Sequence, residues 1–332
     1  MLRAVIAALV ALPPVLLAPG VRAADAIKVG MQKVASPIFI ALDRGYFAAE
    51  GLDATPVYFE AGQPVAVATV SGDVDFGIAG LTGGLYGLAE QGALKIIGGQ
   101  TREVPGFHAN TVVASVKAYA AGLRSLKDLP GHSVAVTQIG SAFHYDLGLL
   151  AEKYHFDLKS VRILPLQTNP NAVAAASGGS ADAAISIISY LAPALERGEV
   201  KLLAYVGDET PWQLVGLFVA TRTANERGPV IERFLRAFRR ASRDYHDAFT
   251  GPDGHRTDGP TAAATLAILA KFTGQPVARL HDSIGYIDPD ARIDVADVAH
   301  QVAWYKEQGL VKGDLPGESL IDRRYALPLE RQ

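Results

Sequence analysis

Ala26-Ile27-Lys28-Val29-Gly30-Met31 is followed, after a short linker, by Ser36-Pro37-Ile38-Phe39-Ile40-Ala41-Leu42-Asp43-Arg44-Gly45-Tyr46-Phe47-Ala48-Ala49-Glu50-Gly51-Leu52. The first segment reads as a strand. Pro37 stands where a first helical turn tolerates a residue without an N–H, so Pro37 to Leu42 opens a helix. Gly45-Tyr46-Phe47 ends it, and Gly51 precedes a second strand, Asp53 to Phe59. Strand, helix and strand of these lengths predict a parallel pair with the helix on one face.

The pattern continues outward. A helix is expected from Pro64 to Val70, a strand from Asp73 to Ile78, a glycine-rich entry Gly80-Leu81-Thr82-Gly83-Gly84 into another helix, and a strand at Lys95-Ile96-Ile97. A second β-α block begins near Ser115. It holds strands at Ser133–Val136, Val161–Leu164, Asp182–Ser186 and Lys201–Val206, with helices after Gly140-Ser141-Ala142, from Asn169 to Ser177 and from Tyr190 to Arg197. The apolar run Gly216–Ala220 reads as the return to the first block. The remainder is helical. Val230 to Phe249 puts Ile231, Phe234, Leu235, Phe238 and Tyr245 on one face, and its five arginines are expected on a solvated one.

The 332 residues suffice for two domains, and 49% hydrophobic against 20% charged residues predicts an ordered core. A formal net charge of −3 argues against a nucleic-acid partner. Arg3, an apolar stretch interrupted by Pro13-Pro14, and Val21-Arg22-Ala23 read as a signal peptide, residues 1–23, cleaved after Ala23. Its removal takes Arg3 and Arg22 away and leaves −5. The absence of cysteine excludes disulfides, thiolate metal sites and a lipid-modified N-terminus. The reading is a soluble protein of the periplasm.

Catalytic and cofactor signatures are missing. Gly77, Gly80, Gly83, Gly84 and Gly87 fit neither a dinucleotide fingerprint nor a P-loop, and there is no G-x-S-x-G or H-E-x-x-H. Asp288, Asp290 and Asp294 lack the glycine and glutamate of a calcium loop, so Asp294 is read as a helix cap. No cofactor or metal is expected. What lies at the strand ends is small and polar: Ala35-Ser36, Gly62-Gln63, Leu81-Thr82-Gly83 and Gly140-Ser141-Ala142. In open α/β sheets that edge is where ligands sit.

These segments resemble a family. Ser36 to Leu52 is similar to the opening of nitrate/sulfonate/taurine-type substrate-binding proteins of ABC importers, a group that takes in thiamin-pyrimidine-synthase-like binding proteins. Ser71-Gly72-Asp73-Val74-Asp75-Phe76-Gly77, Leu126-Lys127-Asp128-Leu129-Pro130-Gly131 with the later Gly140-Ser141, and Val302 to Val311 match further signatures in order. The resemblance implies a type II periplasmic-binding-protein fold: two α/β lobes joined by two hinge crossovers, with 24–114 and 217–332 as lobe I and 115–216 as lobe II. The crossovers are expected near Val113–Lys117 and Val215–Val219. It implies a monomer that delivers a small molecule to an inner-membrane permease with a cytoplasmic ATPase. Carried over position by position, the pocket would be lined by Ser36, Gln63, Leu81, Thr82, Ser141, Ser189 and Tyr190. Trp212, after the polar run Gly207-Asp208-Glu209-Thr210-Pro211, is expected there as a stacking platform, with Phe107, His108, Phe143 and His144 as further candidates. No arginine clamp for an anion is evident. Arg102 is the one candidate, while Glu60 and Glu103 would repel an anion or recognise an amine. The alternatives are an enzyme of the synthase branch, whose cysteine-rich iron motif this chain lacks, and a ligand sensor.

Overall fold

Ile27, Val29 and Met31 alternate along the first strand and are all buried, because that strand is covered on its core face and flanked on both edges. The computed structural model describes residues 23–313 and 316–329; the expected signal peptide lies outside them, apart from Ala23. Its strands are β1 (Asp25–Met31), β2 (Leu52–Tyr58), β3 (Phe76–Gly80), β4 (Leu94–Gly99), β5 (Thr101–Glu103), β6 (Asn110–Ser115), β7 (Ser133–Val136), β8 (Arg162–Pro165), β9 (Ala183–Ile187), β10 (Val200–Tyr205), β11 (Trp212–Gln213), β12 (Val215–Ala220) and β13 (Tyr286–Ile287). They form a sheet of order β2-β1-β3-β12-β4, a second of order β10-β6-β9-β7-β8, and a small third of order β11-β5-β13.

β2, β1 and β3 run parallel, as the helices between them require. β12 follows β11 of the small third sheet and is antiparallel to both β3 and β4. The result is two α/β lobes, each with helices packed on its sheet.

The passage between lobes corrects one expectation. Val113 lies in the middle of the second sheet, paired with Leu202 and Ala184. The outward crossing therefore comes before Asn110, and the return, through the helix Val206–Glu209 and β11, before Val215. Both crossings precede the expected Val113–Lys117 and Val215–Val219. An apolar strand carries no local mark of the sheet it will join, so pairing alone decides. β5 and β11 then pair antiparallel, Trp212 opposite Glu103 and Gln213 opposite Arg102, so the two crossovers form one ribbon.

The helix Gly228–Phe249 buries Ile231, Phe234, Leu235, Phe238 and Tyr245 against the first lobe, each worth roughly 1.5–3 kcal/mol of burial. Its arginines are not a purely solvated face. Arg233 pairs with Asp25, Arg236 with Glu50 and Arg243 with Asp290, Arg239 donates to the Tyr325 carbonyl at 2.7 Å, and Arg240 sits 3.9 Å from the Tyr46 ring centre. The helix Val295–Glu307 touches both lobes: Trp304 packs 5.2 Å from Tyr145 of the second, and Tyr305 5.7 Å from Tyr86 of the first. None of the described helices is long and apolar enough to cross a membrane.

Candidate functional site

Between the lobes lies a cleft with about 1030 Å³ of empty space, open solvent at its mouth included. Its walls are strand ends and helix starts. Ser36 caps the helix Pro37–Asp43, accepting from the Ile38 N–H at 3.3 Å, and donates to Gln100 Oε1 at 3.0 Å. Thr82 caps the helix Gly83–Glu90, accepting from Leu85 N–H at 3.0 Å, and donates to Gln63 Oε1 at 2.8 Å. The Gln63 amide lies flat over Gly84, where a Cβ would come within 2.4 Å of it. Facing them, Ser141 caps the helix Ala142–Tyr154, accepting from His144 N–H at 3.3 Å. These caps follow from sequence: a short hydroxyl side chain just before an apolar helical run satisfies a first-turn N–H.

Ser36, Gln63, Thr82, Ser141 and Ser189 all stand in the cleft wall, and so do His108 and Phe143. Three expected residues do not. Leu81 is fully buried; one position before Thr82, its side chain turns to the core, and only its backbone is engaged, donating to the Leu214 carbonyl at 2.9 Å. Tyr190 lies one helical step past Ser189 and faces an outer groove with Pro170, Val173 and Arg197. Trp212 is 1% exposed and packs edge-on to Tyr145 at 4.8 Å. The polar residues before it turn outward, Asp208 to the Gly106 N–H and Glu209 to Lys153, while the indole opens β11 facing inward. Phe107 and His144 are also buried outside the lining. His144 is a structural acceptor: its Nδ1 takes the Gly140 N–H at 3.1 Å.

Sequence reading missed Gln100, Thr101, Asn110, Tyr245 and Ser283, all in the wall. Asn110 had a signal, a polar residue just before the apolar run Val112-Val113-Ala114. The others come from the crossover ribbon and the C-terminal helices, where no motif marks them.

The sequence profile described as "NMT1/THI5 like" matches residues 32–253. The chain belongs to the NMT1/THI5-like family. It is 27% identical over 220 residues to a Bacillus subtilis (strain 168) protein described as "Putative aliphatic sulfonates-binding protein"; the match covers 65% of this chain and 64% of that relative's length. Its fold is similar to that of the alkanesulfonate-binding protein SsuA from Xanthomonas axonopodis pv. citri bound to MOPS, with TM-score 0.71, 21% identity, and 89% of this chain and 97% of that one covered. It is likewise similar to the periplasmic aliphatic sulphonate binding protein SsuA from Escherichia coli, with TM-score 0.68, 22% identity and 93% and 94% covered. The architecture is that of periplasmic binding proteins.

Among the described residues the cleft is walled without charged side chains: it holds no lysine, arginine, aspartate or glutamate. His108 is its one imidazole, stacked on Tyr205 at 3.6 Å, with Nδ1 3.2 Å from the Asp282 carbonyl. Arg102 follows Thr101 on β5, outside the cleft lining, and lies 3.7 Å from the Asp294 carboxylate. Glu60 is exposed and outside the lining. Glu103 is not in the wall but behind it: Oε1 accepts the Asn110 N–H at 2.8 Å, while Asp146 Oδ2 accepts from Asn110 Nδ2 at 2.7 Å. Burial pushes both carboxyls up, Glu103 well above the usual carboxylate range and Asp146 to about 8. Asp288, of the faint calcium-like run, is engaged with Arg292, and Asp294 caps its helix as expected.

Proposed function

We propose that the chain is an exported substrate-binding protein: it captures a small polar or aromatic organic solute between its lobes in the periplasm and delivers it to an ABC permease with a cytoplasmic ATPase. The observation that carries this is the cleft itself. Helix starts from two lobes face each other across it, Thr82 on one side and Ser141 on the other, and the lobes are joined by one two-stranded ribbon, β5 with β11. Such a ribbon can flex while each lobe stays rigid, which is the geometry of hinged closure. The relatives, described as sulfonate-binding proteins, agree with a binding role. Residues 1–23 would supply export, with the mature chain starting at Ala24 and acting as a monomer.

Capture without turnover is the favoured form. The hydroxyls of Ser36, Thr82 and Ser141 are engaged in helix caps, and Ser36 and Thr82 also donate to glutamines, so none is paired with a histidine as a nucleophile would be. The chain has no cysteine to replace them.

The test is a thermal-shift screen of small polar and aromatic solutes, followed by small-angle scattering with each stabilising compound. A ligand at 100 times its dissociation constant adds about 2.7 kcal/mol of stability. Compaction with the compound recovered unchanged is the expected result. Steady conversion of the compound with unchanged dimensions would favour the enzyme.

A further inference from the structure

We infer that Asn110 is a specificity residue of the cleft whose polarity is set by a proton. Its amide offers the donor Nδ2 to a ligand when the buried carboxyl of Asp146 is protonated, and the acceptor Oδ1 when that carboxyl is ionised. This deepens the capture reading and rests on it.

Asn110 lines the cleft, is 1% exposed, and is held by two acids that lie outside the wall. Its backbone N–H donates to Glu103 Oε1 at 2.8 Å, which fixes where the side chain begins. Its amide lies against Asp146, with Nδ2 2.7 Å from Oδ2. Asn110 Oδ1 and Asp146 Oδ1 both lack a partner among the described residues. This arrangement suits an ionised Asp146, which accepts from Nδ2 and leaves the amide oxygen for a ligand. A protonated Asp146 suits the reverse. Half a turn of the amide keeps its shape, brings its oxygen to the carboxyl as acceptor for the acid proton, and releases Nδ2. Without that turn the proton stays on Asp146 Oδ1, where no acceptor meets it, and an unpaired buried donor is costly.

Both carboxyls are fully buried. The titratable groups facing them are each other, Asp208 on the helix Val206–Glu209, Tyr145 on the helix of Asp146 itself, and Tyr305 on the helix Val295–Glu307. None of these is a cation. Only polar contacts favour the charged forms: the Asn110 and Gly207 N–H groups at Glu103, and at Asp146 the Asn110 amide and the Trp212 indole N–H, which falls short of a full hydrogen bond. Burial therefore keeps the pair protonated at neutral pH, and Asp146 releases its proton near 8. A ligand that presents an acceptor, anionic or neutral, draws a proton onto Asp146 as it binds, and one that presents a donor expels it.

Two measurements on the secreted protein test this. NMR of the ligand-free, isotope-labelled protein follows exchange of the Asn110 side-chain protons with water from about pH 6 to about pH 10. Protection relative to free asparagine is expected to rise about tenfold through pH 8, as Nδ2 returns to an ionised Asp146, and to stay flat in Asp146→Asn. Flat protection in the parent overturns the inference, whether or not the variant folds. Calorimetric titration with methyl phenyl sulfone, a neutral acceptor, and with benzenesulfonate, in buffers of different ionisation enthalpy at about pH 9, counts the protons taken up. Uptake is expected with both, with affinity falling towards about tenfold per pH unit above 8, and Asn110→Leu should abolish the uptake. Uptake confined to benzenesulfonate and kept by Asn110→Leu would be charge repulsion alone and overturns the role of Asn110. So does failure of both compounds to bind at millimolar concentration. Compaction by any screened solute leaves capture standing through each of these failures; if no solute compacts the protein, capture falls as well.

Discussion

The Gly83 N–H donates to the Gly140 carbonyl oxygen at 2.9 Å, and the two residues stand on opposite lobes. The lobes thus meet at the cleft through backbone as well as side chains. Gly140 has φ of +82°, and a Cβ there would come within 3.3 Å of Leu310. Gly140→Ala is therefore expected to cost about 1–2 kcal/mol from the left-handed backbone alone. Chemical denaturation measures this; an unchanged midpoint would mean that the loop relaxes freely and the contact holds nothing.

Tyr305 bridges the same seam. Its hydroxyl lies 3.3 Å from the Leu81 carbonyl oxygen and 3.1 Å from that of Ser141. Tyr305→Phe keeps the ring packing and removes the one proton that the two carbonyls share, at an expected cost of about 1–3 kcal/mol. Because this shared bond spans the lobes, the variant should also show a larger radius of gyration without ligand. Lower stability with unchanged dimensions would assign Tyr305 to the core alone.

Trp212→Ala should cost about 3–5 kcal/mol, as removal of a buried indole does. Ser141→Ala should cost about 1 kcal/mol, the loss of one helix cap. Thermal melts of the two variants separate them. A Trp212 variant that melts like the parent would put the indole back in the cleft.

Acid titration of His144 gives a signed expectation. Burial lowers its pKa from the ordinary 6.5 to about 4. The unfolded chain takes up the proton as pH falls through 6.5, and the folded protein does so only near 4. This group's contribution is complete above 6.5 and is lost as pH falls towards 4, by up to about 3 kcal/mol. Asp146, pushed up to about 8, acts with the opposite sign: its contribution is complete below the ordinary carboxylate value and lost as pH rises through 8. The parent's own profile mixes the two, so His144→Gln should be compared with the parent. Its destabilisation should be larger near pH 7 than near pH 4.5. A pH-independent difference would contradict a neutral, buried His144.

Much of this was legible where local sequence decides the outcome. Ser36, Thr82 and Ser141 each sit at a strand-to-helix handover, and such a position fixes both the cap and the approach to the cleft. Ser189 follows the same logic at the end of β9. Trp212 was misread because its polar neighbours are local while its burial against Tyr145 is not. Leu81 and Tyr190 failed by a single position, which is enough to turn a side chain off the cleft. Asn110 gains its role from Glu103 and Asp146, brought together only by the ribbon and the second lobe.

Capture of a small molecule is tested most directly by native mass spectrometry of the protein isolated gently from the periplasm of its own host. The predicted result is a chain starting at Ala24 that carries one small molecule per polypeptide, released intact on mild activation. A bare polypeptide that gains no mass when incubated with a small-molecule extract of the host's growth medium would contradict it.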